Sequence, residues 1–113
     1  DIAMERAELN MRSTELNNNI VKQQLKQDIQ RAIADARAAK KALDASQKSV
    51  DALQLAYENT EKRFKLGAVN TFQFTTSKNN LEQAEVDLIV AKYDYLFKLK
   101  VVDYYEGTQI TLK

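Results

Sequence analysis

The stretch Arg63-Phe64-Lys65-Leu66-Gly67-Ala68-Val69-Asn70-Thr71-Phe72 holds the first of only two glycines in 113 residues, and the sequence on either side of it reads as helix. Gly67 stands where a helix C′ residue belongs, because glycine takes the left-handed conformation that ends a helix at little steric cost. A second helix begins within four residues. Asn70 is a good N-cap, Gln73 occupies the N3 position of a capping box, and Val69 with Phe74 are spaced as the N′ and N4 halves of a hydrophobic staple. A loop confined to residues 67–70 forces the second helix to run antiparallel to the first, so the stretch is the turn of a hairpin.

On the N-terminal side a seven-residue repeat is sustained from Leu25 to Phe64. Ile29, Ala36, Leu43, Val50, Tyr57 and Phe64 hold one seam position, and Leu25, Ala32, Ala39, Ser46, Leu53 and Thr60 hold the other. Five heptads without a breaker predict a coiled-coil helix. Further back, Ile2, Leu9 and Leu16 also recur every seven residues but in a different register. The change falls across Asn17, Asn18 and Asn19, as a stutter or a local weakness. A helix from about residue 1 to 66 would be about 100 Å long.

On the C-terminal side the same spacing runs through Phe74, Leu81, Leu88, Tyr95 and Val102, with Ser77, Ala84, Ala91, Lys98 and Tyr105 beside them. A second seam, Val86, Val90, Tyr93, Phe97 and Tyr104, lies off the first and calls for more than one neighbouring helix. The expected end of this helix is near Glu106 and Gly107, about 54 Å from its start. Thr108 to Leu112 alternates polar and apolar and reads as a short extended tail, residues 108–113. The expected fold is therefore all-α, a long antiparallel coiled-coil hairpin with helices at about 1–66 and 71–106 around a turn at 67–70. The return would leave roughly 30 residues of the first helix overhanging. Covering its Ile2, Leu9, Leu16, Ile20, Val21 and Leu25 would gain about 1.5 to 3 kcal/mol each, so another segment is expected to lie there.

Composition narrows the function. There is no proline, cysteine, tryptophan or histidine, and 17 basic against 16 acidic residues leave a net charge of +1 with neither half strongly biased. That argues against nucleic-acid or anionic-membrane binding along a basic stripe. The longest apolar run, residues 88–91, is far short of the roughly 20 residues a membrane helix needs. The start at Asp1 reads as a processed or excised chain, so nothing follows from it about a leader in the parent. An enzyme is not expected: catalytic, cofactor and metal residues are all read as none. No Cys or His is available as nucleophile, base or soft ligand, no Gly-rich phosphate loop is present, and the carboxylates lie beside bases such as Lys48, Lys62, Lys65 and Lys98 at i, i+4. Tyr93, Tyr95, Tyr104 and Tyr105 read as packing residues, not as a stacking ladder for substrate.

Phe64-Lys-Leu-Gly-Ala-Val-Asn-Thr-Phe-Gln-Phe74, the return-helix segment from Asn80 to Leu96 with its Ala91-Lys-Tyr-Asp-Tyr-Leu96, and a closing Tyr105-Glu-Gly107 resemble the outer-membrane efflux proteins of the TolC type, in particular their C-terminal repeat. The resemblance implies a piece of an α-helical barrel. In that family three protomers close into an outer-membrane β-barrel continued by a periplasmic helical tunnel, and this chain would be the periplasmic hairpin, residues 1–107, in a Gram-negative bacterium. Leu66, Gly67, Ala68 and Val69 would then form the tip that docks a periplasmic adaptor (membrane fusion) protein, tied in turn to an inner-membrane pump. Gln73 and Thr76 would stand at the pore constriction, where members often carry acidic side chains, and Phe64 lacks the hydroxyl those members place before the glycine. The other reading of the same tip is a well-capped turn with no partner, and of Gln73, Thr76 and Asn80 a solvated helix face. The competing function is the coiled-coil hairpin of a periplasmic adaptor, or a self-associating structural scaffold. The isolated chain is expected to self-associate.

Overall fold

The computed structural model describes the backbone of residues 1–112 and the side chains of residues 1–107. Two helices make up the fold, α1 (Ile2–Lys65) and α2 (Thr71–Leu112), joined by residues 66–70 and packed along each other as an antiparallel hairpin. At 1.5 Å rise per residue the 64 residues of α1 span about 96 Å. The molecule's long axis is 97 Å and its other two extents are 21 and 13 Å, so α1 is close to straight and sets the length of the whole.

α1 is unbroken across Asn17, Asn18 and Asn19, so the register change there is carried within a continuous helix. No proline interrupts the segment, and Asn lowers helix propensity only modestly, so three of them do not open a helix this long. The N-terminus is capped by Asp1, whose side chain accepts from the Ala3 N–H at 3.3 Å.

The interface follows the heptads. On α2 the row Phe74, Leu81, Leu88, Tyr95 and Val102 and the row Ser77, Ala84, Ala91, Lys98 and Tyr105 are buried or half-buried throughout, and so is every seam position of α1 from Leu25 to Thr60. The most enclosed residues are Ala32, Ala36 and Ala39 on α1 and Leu81 and Ala84 on α2. Phe74 lies between Tyr57 and Phe64, with ring centroids 5.7 and 4.6 Å away. This places level with each other residues whose numbers add to about 134. In that register Ala39 faces Tyr95, Ala32 faces Val102 and Ala91 faces Leu43, small against large at successive layers. A shallow groove of about 200 Å³, lined by Ile33, Ala36, Tyr95, Leu99 and Val102 among others, runs beside this alanine segment. Lys98 occupies a seam position opposite Ala36. The small partner leaves room for its aliphatic stem, and its ammonium reaches back to Asp94 at 3.9 Å.

Two expectations are corrected. The return helix does not stop at Gly107 with an extended tail: α2 runs to Leu112. Gly107 has no positive φ, and without a following proline a glycine weakens a helix by about 1 kcal/mol without ending it. Lys113 lies outside the described residues. The longer α2 shortens the overhang, so the exposed part of α1 is residues 1–24 and not some 30. Secondly, Tyr95 and Tyr105 pack as expected, but Tyr93 and Tyr104 are 68% and 71% exposed, because they belong to the seam on the far side of α2. Of the predicted i, i+4 ion pairs, Glu61 with Lys65 closes at 3.0 Å and Asp94 with Lys98 at 3.9 Å, while Glu58 accepts from Gln54. At such exposure each contributes a few tenths of a kcal/mol. Among the described residues no helix is long and apolar enough to cross a membrane.

The two glycines give a test with opposite signs. A Cβ at Gly67 or Gly107 would meet no atom within 4 Å, so backbone conformation alone decides the outcome. Gly67→Ala is expected to destabilise by about 1 to 2 kcal/mol, and Gly107→Ala to stabilise by about 0.5 to 1 kcal/mol. Urea denaturation followed by circular dichroism at one protein concentration checks both, and shifts of the same sign would refute the assignment. In the same assay Ala39→Leu should cost about 1 to 3 kcal/mol, since Ala39 faces Tyr95 at one of the most enclosed positions of the seam.

Candidate docking tip

The tip is built by two interlocked end structures. α1 finishes with its C-cap at Leu66, after which Gly67 turns left-handed at φ 77°. The Gly67 N–H donates to the Phe64 carbonyl at 3.0 Å, and the Ala68 N–H reaches the Arg63 carbonyl at 2.8 Å. These are the two bonds of a Schellman motif, and they absorb carbonyls that the end of α1 would otherwise leave without partners. α2 starts with a reciprocal capping box. The Gln73 N–H donates to Asn70 Oδ1 at 2.8 Å, and the Asn70 N–H donates to Gln73 Oε1 at 3.2 Å. Val69 and Phe74 are both half-buried, as the staple requires. Asn70 thus makes the hydrogen bonds of an N-cap, and the Phe74 ring packs between Tyr57 and Phe64.

The same geometry decides what the tip presents. Leu66, Gly67 and Ala68 are exposed at the end of the rod, Leu66 at 84%, while Val69 is half-buried beneath them. Phe72 joins them: it is 78% exposed on the first turn of α2. Sequence reasoning left Phe72 out because its neighbours Asn70, Gln73 and Phe74 were all accounted for by helix initiation. The available signal was that Phe72 falls outside both heptad seams. Leu66 and Phe72 are the two most exposed large apolar side chains of the described residues, and both stand at this end of the rod.

Charge is the second property of the tip. Lys62, Arg63, Lys65 and Lys78 are basic, and no acidic residue lies between Glu61 and Glu82. All four bases are exposed. Lys62, Arg63 and Lys65 complement the negative end of the α1 dipole, yet the first turn of α2 carries no acid, where helix stability alone would favour one. The net charge of +1 therefore hides a tip of four bases on a body whose charges sum to −3 (13 basic against 16 acidic residues outside 62–81). A comparison of the two halves of the chain misses this, because the turn lies astride them.

Gln73 and Thr76 stand on adjacent faces of α2. Gln73 lines up at seven-residue intervals with Asn80, Asp87 and Asp94, and Thr76 with Gln83, Val90 and Phe97. Both are exposed, and Gln73 Oε1 accepts from the Asn70 backbone N–H. Among the described residues no three carboxylates come together as a metal site. No family model, curated protein or solved structure matches this chain.

Proposed function

We propose that this chain is the periplasmic hairpin of an outer-membrane efflux channel of the TolC type, whose tip docks an adaptor protein of a tripartite export pump. The observation that carries the proposal is the apolar surface that the hairpin leaves uncovered. Here Ile2, Leu9, Leu16, Ile20 and Val21 are 59 to 70% exposed on the overhang. Covering them calls for a further helix stacked end to end with α2, which is the arrangement that the family resemblance implies for the staves of a helical tunnel.

The tip is the free end of such a stave. Leu66 and Phe72 supply apolar contact and Lys62, Arg63, Lys65 and Lys78 surround it, so the adaptor surface that fits it is an apolar pocket with an acidic rim. Gln73 and Thr76 would give a constriction lined by neutral amide and hydroxyl groups. Opening would then not depend on titrating an acidic ring.

In cells producing the full parent protein, Leu66→Asp combined with Phe72→Asp is expected to abolish crosslinking to the adaptor and export, with helicity by circular dichroism unchanged. Full export with both substitutions would overturn the docking assignment. Arg63→Glu with Lys78→Glu should weaken docking by about tenfold or more and remove much of its salt dependence, measured as adaptor binding against ionic strength.

A further inference from the structure

The shallow groove beside the alanine segment is built by both helices, and no acid lines it. Two other hollows each lie along a single helix and hold an acid, Glu82 in one and Glu15 in the other. From Ile33 to Lys40 the groove runs two turns of α1, about 10 Å. Its ends are chemically unlike. In the register set by Phe74, Ile33, Leu99 and Val102 gather at the end away from the tip, with Ile33 and Val102 half-buried and Leu99 36% exposed. Arg37, Lys40 and Tyr95 stand at the end nearer the tip.

Charge follows the same division. Lys92, one turn from Tyr95 on the same side of α2, adds a third base to the end nearer the tip, and Asp44 lies one turn past Lys40 on α1. Asp51 and Glu85 come two turns further towards the tip. At the apolar end the flanking groups on α2 are both acids, Asp103 and Glu106. Among the described residues Arg37, Lys40 and Lys92 enter no ion pair or side-chain hydrogen bond, and the Tyr95 hydroxyl makes none. On the other flank of the seam, by contrast, Lys98 is held by Asp94.

We infer that this groove binds a single-chain amphiphilic anion, with its alkyl chain along Ile33, Ala36, Leu99 and Val102 and its head group between Arg37, Lys40 and the Tyr95 hydroxyl. The chain gains by leaving water for an apolar wall, and the head gains charge-assisted hydrogen bonds from donors that the fold leaves unused. Size selects one chain: about 200 Å³ is below the roughly 300 Å³ at which pockets for larger small molecules begin. Charge selects the direction, because Asp103 and Glu106 repel an anionic head from the apolar end while three bases attract it to the other. The inference goes beyond the channel reading and does not rest on it. Loss of adaptor binding at the tip would leave it standing.

Decanoate, titrated at neutral pH below its micelle concentration and followed by amide NMR of the purified chain, is the probe. Saturable shifts are expected at residues 33–40 and 95–102. Decanol, with the same chain and no charge, and decyltrimethylammonium, with the opposite charge, should bind about tenfold or more weakly. Arg37→Gln/Lys40→Gln should weaken decanoate by about tenfold or more and leave decanol unchanged, whereas Leu99→Ala should weaken both. Both sites are exposed, so helicity by circular dichroism should be that of the parent chain. Shifts that fail to saturate or that spread equally over the tip and overhang, decanol binding as tightly as decanoate, or an unaffected Arg37→Gln/Lys40→Gln chain would each overturn the inference. So would the same shifts appearing on concentrating the chain without decanoate, which would give the groove to a second copy.

Discussion

Where one helix ends and another begins within five residues, backbone groups of both ends need partners at once. In this hairpin the need is met locally. Gly67 and Ala68 return hydrogen bonds to Phe64 and Arg63, and Asn70 and Gln73 exchange theirs. Only a residue tolerant of φ 77° permits the first set, and only a side chain that accepts at the N-cap permits the second. With the turn closed in this way, its direction is set, and with it the antiparallel pairing, the level of every layer, and the set of side chains left at the end of the rod.

Packing above the turn follows from side-chain volume. Alanines at 32, 36 and 39 let α2 approach closely enough for Tyr95, Val102 and the Lys98 stem to be accommodated, and the rings of Tyr57, Phe64 and Phe74 close the tip end. One partner helix covers only one face. The apolar residues of the overhang and the bulky outer row of α2 are therefore exposed within the hairpin, and an exposed row of this length is expensive unless something else covers it. The proposal that the hairpin is one stave of a larger assembly rests on that uncovered apolar surface more than on any single residue.

The tip shows how stability and recognition divide a short segment. Asn70, Gln73 and Phe74 are occupied in starting α2, and Gly67 and Ala68 in ending α1. Leu66 and Phe72 make no comparable contribution to the turn, yet they are its most exposed apolar side chains. Around them the bases continue past the point where the helix dipole accounts for them, since α2 opens without an acid. The residues that the fold does not need are the ones that give the tip its chemistry.

Much of this was readable without coordinates. The glycine, the capping box and the seven-residue spacing are local, and each has one inexpensive structural solution, so the hairpin, its turn and its buried seams follow from residues 25 to 105 alone. The end of α2 was not readable, because a glycine followed by alternating residues is compatible with either a stop or a weak helical continuation. Nor was the exposure of Phe72, Tyr93 and Tyr104 apparent, since an apolar residue near a seam looks the same on paper whether it faces a partner or solvent. Sequence by itself determined where the chain turns and which row of each helix meets the other, because capping and periodicity act over a few residues. Only the tertiary structure decided that the return helix continues through Gly107 and which rows of each helix stay exposed within the hairpin, because those depend on register across two helices at once.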